Sequence, residues 1–207
     1  MGNKLTKNKY RERYKAIRLE IGSDVHTQIT NKVGIFLKER ISRNEIRGHV
    51  GIYWPLIGEI DIRGLKDELD ISFALPKCNK EGNITYHDWE DERLDCDIHK
   101  IPSPISDKAL KAKEVDLILV PALAIDKYGY RLGYGKGFFD KLRAQSGWNS
   151  IPAVVVIANE LIHKQKLPRD QWDISFNGLF QNMTQWTFIN NLLETSESEW
   201  LEDQNCD

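Results

Sequence analysis

The sequence predicts an α/β fold of three layers, with helices against both faces of a mostly parallel sheet. Three observations predict it. The runs "VDLILVPALAID" (Val115–Asp126) and "IPAVVVIA" (Ile151–Ala158) place apolar residues in succession instead of in alternation. That is the pattern of strands buried on both faces. Between and before these runs lie stretches whose apolar residues recur at helical spacing, and strands alternating with helices build a parallel sheet.

From about Thr6 to Ile21, the residues Tyr10, Tyr14, Ile17 and Ile21 fall on one helical stripe, with Lys7, Arg11, Lys15 and Arg18 beside it. Lys7 and Arg11 stand one turn apart on one face. This basic stripe reads either as a solvated face or as a phosphate clamp. A second helix follows, with Asp24 as its expected cap and Val25, Ile29, Val33, Phe36, Leu37 and Ile41 as its apolar face. "HVGIYWP" (His49–Pro55) and "ISFALP" (Ile71–Pro76) read as strands, separated by a short helix over Asp61–Leu69. Short strand character returns near Ile84–Tyr86, weak helix over Asp107–Lys113, and a helix over Phe138–Gln145. After Glu160 come a short helix, "LPRDQWD" and an apolar piece around Gly178–Met183. The acidic end, Glu194–Asp207, has no core pattern, so the expected division is one domain over 1–193 and a loose tail over 194–207.

Composition narrows the function. The chain has 207 residues and a formal charge of -2, with 29 basic and 31 acidic residues. That balance argues against a nucleic-acid partner recognised through its phosphates. Cys78, Cys96 and Cys206 are far apart and contain no CxxC pair, which argues against a zinc or redox motif. The first twenty residues lack the apolar core of a signal peptide, and no run approaches the length of a membrane span. These features predict a cytoplasmic protein with no membrane partner. The lack of an extended apolar edge predicts a monomer.

"RLGYGKGFFDKL" (Arg131–Leu142) carries the chemistry. Three alternating glycines, Gly133, Gly135 and Gly137, exceed what a turn requires. They let backbone N–H groups face an anion, and Lys136 adds a full charge. The spacing matches neither the Walker pattern nor the dinucleotide fingerprint. The loop reads as a phosphate cradle or as a glycine-rich turn. Asp140 reads as a dipole partner in the first turn of a helix or as a magnesium ligand. Asp173 reads as a second ligand or as a loop cap.

The longer stretch "LVPALAIDKYGYRLGYGKGFFDKL" resembles the signature of the 5-formyltetrahydrofolate cyclo-ligases, also called methenyltetrahydrofolate synthetases. Gly129, Arg131, Leu132, Gly133, Gly135, Gly137, Phe138, Phe139 and Asp140 fit that signature. Lys7-x-x-x-Arg11, "YWPLIGEID" with Glu59, "FALPKC" and "LPRDQWD" resemble further elements of the family, in the expected order. The resemblance implies a fold like the NagB/RpiA/CoA-transferase group. It implies conversion of 5-formyltetrahydrofolate to 5,10-methenyltetrahydrofolate with ATP and magnesium. It also implies roles. Lys7, Arg11 and the loop Arg131, Leu132, Gly133, Tyr134, Gly135, Lys136, Gly137, Phe138 and Phe139 would hold ATP. Asp140 and Asp173 would hold the metal. Trp54, Glu59, Tyr134 and Phe138 would contact the folate, and Lys136, Arg131 and Tyr134 would serve catalysis. Trp89 would line the same pocket or belong to the core.

The chain departs from the family's usual residues at several places. Ser103 stands where glutamate is usual, Glu160 for a glutamine, and Trp172 for histidine or asparagine. Gln181 and Asn182 stand for a Thr-Glu-like ending, and Phe138 and Phe139 for tyrosines. These changes are expected on the folate side more than on the phosphate side. Two alternatives accompany the cyclo-ligase reading: a diverged ATP-using relative acting on another formyl or amide substrate, and a binding protein for nucleotide or folate without turnover.

Overall fold

Strands β6 (Val115–Pro121) and β9 (Ala153–Val156) form the middle of the sheet, as their unbroken apolar runs predict. Leu117, Ile118, Leu119 and Val120 are buried in succession, and so are all four residues of β9. Adjacent residues of a strand point to opposite faces, so both faces of the sheet are covered. The computed structural model describes residues 6–90, 93–183 and 187–188. The expected tail over 194–207, and the domain boundary at 193, lie outside the described residues.

The chain begins with helices α1 (Lys7–Leu19) and α2 (Ser23–Ser42). Strand β1 (His49–Gly51) follows, then a single helical turn α3 (Leu65–Glu68), and strands β2 (Phe73–Cys78) and β3 (Ile84–Asp88). A small hairpin pairs β4 (Leu94–Cys96) with β5 (Pro102–Pro104). After β6 the chain makes a second hairpin, β7 (Ala124–Asp126) with β8 (Arg131–Leu132), and then enters helix α4 (Phe138–Arg143). Beyond β9, the short strand β10 (Ile162–His163) pairs with β7. Finally β11 (Gly178–Phe180) pairs with β9 and β12 (Thr187–Phe188) with β11. Among the described residues, the main sheet has seven strands in the order β12-β11-β9-β6-β1-β2-β3. Its inner pairs are parallel, and only the edge strands β3 and β12 run antiparallel.

Several elements are shorter than their patterns predict. The strand expected over His49–Pro55 ends at Gly51, and the residues after it leave the sheet to wall the cavity described below. The helix expected over Asp61–Leu69 is one turn, and Asp107–Lys113 contains only a 3-10 turn over Ala112–Glu114. After Glu160 the expected helix is likewise a 3-10 turn, Asn159–Leu161. Isolated short helices are marginal without packing of a long apolar face, and these segments lack one. Gly22, not Asp24, is the N-cap of α2. Asp24 lies in its first turn, where a carboxylate meets the helix dipole. Ile29, Val33 and Leu37 of α2 are fully buried, and Phe36 packs edge-on against Phe180 of β11 at 5.1 Å.

Leu119 has no exposed surface and pairs in register with Val154. Leu119→Ala is expected to cost about 2–5 kcal/mol through lost transfer energy and an unfilled cavity. Urea unfolding monitored by circular dichroism measures it, and a loss under about 1 kcal/mol would contradict the central position given to β6.

Candidate active site

The order of strands reverses beside β1. The chain passes from β1 to β2 on one side and later returns with β6 on the other. At such a switch point the connections leave in opposite directions and open a crevice at the carboxyl ends of the strands. The crevice is present here as a cavity of about 370 Å³. Tyr53 and Trp54 enter it from the end of β1, Pro121 and Ala122 from the end of β6, and Pro76 and Cys78 from β2. Lys7, Arg11, Trp54, Glu59, the whole stretch from Arg131 to Asp140, and Asp173 all line it. These candidates named from the sequence therefore meet in one place.

Helix α1 meets the cavity with Lys7 and Arg11, and its basic residues are engaged along its length. At its start, Lys7 Nζ lies 2.6 Å from Asp170 and 2.6 Å from Asp173. Burial pulls the Lys7 ammonium down, but its two carboxylates outweigh that and hold it above its ordinary value. A raised lysine keeps its ion pairs throughout neutral pH and loses them only beyond the ordinary lysine range. One turn on, Arg11 Nε donates to the carbonyl of Gly133 at 2.9 Å. Near the end of the helix, Arg18 pairs with Glu59 at 3.2 Å. From Lys7 to Arg18 the helix rises about 16 Å. The stripe read from the sequence is thus a contact surface along most of its length, and not a solvated face.

The glycine loop lies against this helix. Gly135 has φ +99°, and a Cβ there would meet the Arg11 guanidinium at 3.2 Å. Glycine is required both by the backbone angle and by the close approach of a side chain. Among the described residues, none of the N–H groups of residues 133–137 enters a backbone hydrogen bond. The loop follows the β7–β8 hairpin and not β6 directly, and α4 has six residues. Beside so short a helix, the loop's own N–H groups and Lys136 are the groups on this wall that could receive an anion.

The Arg131 side chain is largely buried, at the cavity wall beside the loop. Its Nη1 donates to the carbonyl of Pro121 at 3.1 Å, its Nη2 lies 3.6 Å from Asp140, and its guanidinium faces the Phe139 ring at 4.9 Å. Burial lowers its pKa, opposed by Asp140, Glu59 and Asp173. Tyr134 is part-exposed over Lys15 at 5.5 Å and Arg18 at 5.4 Å. Its hydroxyl is pushed up to about 12, first by burial and then by the charge of Glu59. The Glu59 carboxyl is also raised, chiefly by burial. Trp54 faces Arg63 at 4.1 Å and meets Trp89 edge-on at 6.5 Å. Trp89 packs on the core behind Trp54 and does not line the cavity.

The departures from the family pattern fall differently than expected. Ser103 is buried in β5 and bonds to the Asp95 carbonyl, Glu160 is exposed, and Gln181 is buried near Lys32. None of the three lines the cavity. Trp172 does, as an indole 68% exposed at the rim between Asp170 and Asp173. It belongs to the end where Lys7 stands, not to the end near Trp54 and Glu59.

Sequence reading gave no role to Asp126 and Asp170, and named Arg18 only as one member of the basic stripe. Asp126 ends β7 and is fully buried. Its Oδ1 accepts the N–H groups of Tyr128 and Tyr130, each at 3.0 Å. Its Oδ2 accepts the N–H of Leu167 at 3.0 Å and Arg169 Nη2 at 2.9 Å. One carboxylate thereby shapes the turn before the glycine loop and ties down the segment that bears Asp170, Trp172 and Asp173. Arg169 is sandwiched further by the Tyr130 ring at 3.6 Å. Only the short-range half of this arrangement has a sequence signal, an aspartate two residues before a turn.

Comparison with known proteins gives the family and the fold. A model of the 5-formyltetrahydrofolate cyclo-ligase family matches residues 4–180. The 5-formyltetrahydrofolate cyclo-ligase of Escherichia coli (strain K12) is 29% identical over 134 residues, 60% of this chain and 72% of that protein. The one from Mycolicibacterium smegmatis is 39% identical over 62 residues, 30% of this chain and 31% of that protein. Among solved structures, Aquifex aeolicus 5,10-methenyltetrahydrofolate synthetase superposes with a TM-score of 0.75 at 24% identity, covering 97% of this chain and 100% of that one. The 5,10-methenyltetrahydrofolate synthetase from Mycoplasma pneumoniae gives 0.67 at 19% identity, covering 86% and 99%. At these identities the two structures speak for the fold.

Asp126→Ala is expected to cost about 3–5 kcal/mol, because it leaves Arg169, the buried N–H of Leu167 and the part-buried N–H groups of Tyr128 and Tyr130 without their acceptor. Hydrogen exchange should show the Leu167 amide losing protection before the strands of the main sheet do. Retained protection there would contradict the tie between β7 and the 167–173 segment.

Proposed function

We propose, from the premise that the chain belongs to the 5-formyltetrahydrofolate cyclo-ligase family, that it converts 5-formyltetrahydrofolate to 5,10-methenyltetrahydrofolate at the expense of ATP. The observation that carries this reading is the lining of the cavity. Lys7 with Asp170 and Asp173 stands at one end of α1 and Glu59 and Tyr134 lie against Arg18 at the other, while Trp54, Lys136 and the rest of the glycine loop line the same cavity.

The N–H groups of residues 133–137 and the Lys136 ammonium receive the phosphates of ATP, with Arg11 bracing the loop from behind. Asp140 and Asp173 suit magnesium, since they offer hard oxygen donors on the cavity wall and this ion takes one or two carboxylates beside substrate phosphates. Bound there, the ion would spread the charge of the phosphates and favour transfer of the terminal one. Lys7 holds Asp173 in the present arrangement. It is placed to turn from that carboxylate to a phosphate when a cation takes its place.

The folate lies toward Trp54, with its reacting formyl group near Tyr134 and Phe138. The formyl oxygen attacks the terminal phosphorus, the bond from that phosphorus to ADP breaks, and an imidate phosphate forms. The secondary amine of the folate then attacks the formyl carbon, losing its proton, and the carbon–oxygen bond breaks to release phosphate. An amide oxygen is a poor leaving group, so phosphorylation is what lets the ring close. The protein's part is to orient the two substrates and neutralise charge, as in other phosphoryl transfers. Glu59 accepts hydrogen bonds from the pterin side, and Lys136 and Arg131 supply positive charge where the phosphoryl group moves.

Mixing the protein with 5-formyltetrahydrofolate, ATP and magnesium should raise the near-ultraviolet absorbance of the methenyl product, with ADP formed in equal amount. ATP and folate binding without ADP would instead identify a non-catalytic binder. ADP formed only with another formyl or amide compound would identify a diverged relative. Asp140→Asn is expected to lower magnesium-dependent turnover at least about tenfold with the circular dichroism spectrum unchanged. Full turnover would remove Asp140 from the metal site. For Lys136→Ala, loss of one charge-assisted hydrogen bond should raise the KM for ATP roughly tenfold and leave the KM for the folate close to its original value. An unaltered KM for ATP would place the lysine elsewhere.

A further inference from the structure

Arg18 lies behind the cavity wall, at the end of α1 away from Lys7. Its Nη1 donates to Glu59 Oε1 at 3.2 Å, and the two side chains are only 6% and 3% exposed. The second carboxylate oxygen, Oε2, accepts the N–H of Leu56 at 2.8 Å. Each oxygen of Glu59 is therefore held from a different side, one by a cation and one by the backbone. The turn that presents Glu59 is moulded on the arginine. Gly58 has φ +76°, and a Cβ at that position would meet Arg18 Cγ at 3.3 Å and Nε at 3.4 Å. From the glycine loop, the Tyr134 ring roofs the guanidinium with its centre 5.4 Å away.

We infer that Arg18 is a positioning residue for the folate half of the cavity: it holds the Glu59 carboxylate in one orientation and as an anion, ready to accept hydrogen bonds from the substrate. The inference rests on the reading of Glu59 as a folate contact. A buried carboxylate without a partner would turn away or take up a proton. The groups facing Glu59 are Arg18 from α1, Tyr134 from the glycine loop, Arg131 from β8, and Tyr53 from the segment after β1. Burial raises the Glu59 carboxyl, while the Leu56 N–H, Arg18, Tyr134 and Arg131 oppose it. Arg18 is the cation in ion-pair contact. Its removal lets Glu59 take up a proton at a higher pH, so the accepting form is lost sooner as pH falls.

The experiment compares Arg18→Met, Arg18→Lys and Glu59→Gln by the pH dependence of kcat/KM for 5-formyltetrahydrofolate and by the KM for ATP. Arg18→Met is expected to raise the KM for the folate roughly tenfold or more. It should move the acidic limb of the profile to higher pH while sparing the KM for ATP. Arg18→Lys should restore part of both, because an ammonium returns the charge without the planar fork. A purely structural role would lower the yield of folded protein and leave the limb where it was. An unmoved limb in folded Arg18→Met overturns the inference. If that variant does not fold, Arg18→Lys carries the same test, with a smaller displacement of the same sign expected and an unmoved limb overturning it. Glu59→Gln separates the two layers. If it leaves the KM for the folate unchanged, the reading of Glu59 fails. If it raises that KM while the Arg18 variants do not, only the role of Arg18 fails. Calorimetric binding of 5-formyltetrahydrofolate over the same pH range gives the same comparison without turnover.

Discussion

Parallel pairing of β6 with β1 on one side and β9 on the other sets where everything else stands. Val50 and Gly51 pair with Leu117 and Ile118, so the carboxyl ends of β1 and β6 emerge side by side. One leads to Tyr53, Trp54 and Glu59, the other to Pro121, Ala122 and the hairpin that carries the glycine loop. An irregularity between His49 and Val50 shifts the register by one residue, and the pairs beyond it set the relative height of the two strand ends. The cavity is a consequence of that constraint, not a separate invention of the loops.

Within the cavity, charge is organised around a cation that is itself out of water. Arg131 is desolvated, and Asp140, Glu59 and Asp173 offset the cost. These three carboxylates come from different parts of the chain. A buried charge is stable only with partners, so the position of Arg131 links the carboxylates proposed for the metal to the one proposed for the folate. Helix α1 adds a second link. Its basic stripe touches Asp170 and Asp173 at one end and Glu59 at the other, with the glycine loop between.

The same geometry changes the meaning of the unusual residues. Ser103 and Gln181 are buried away from the cavity, so their exchange alters packing and not ligand contact. Trp172 is different. Its indole lies exposed on the cavity rim next to the carboxylates that hold Lys7, so the chain's most visible departure stands at the Lys7 end. Phe138 keeps a ring contact with His99 at 5.4 Å, and Phe139 lies under Arg131 at 4.9 Å. Both faces are used by neighbours that do not need a hydroxyl.

What the sequence determined by itself was whatever depends on neighbours in the chain. The successive apolar residues of Val115–Pro121 and Ala153–Val156 declared a sheet buried on both faces, and the stripe of Tyr10, Tyr14 and Ile17 declared α1. The spacing of "RLGYGKGFFD" marked the loop, because glycine's freedom and a lysine's charge are local properties. Tertiary structure decided the rest. Short elements such as α3 and β1 take their ends from packing, which overrides weak local preference. Arg18 looked like one more surface cation until Glu59, 41 residues away, came within 3.2 Å. Asp126 looked like a turn residue until Leu167 and Arg169 reached its second oxygen. A buried charge acquires its role from the partner that makes burial tolerable, and that partner is chosen by the fold and not by spacing along the chain.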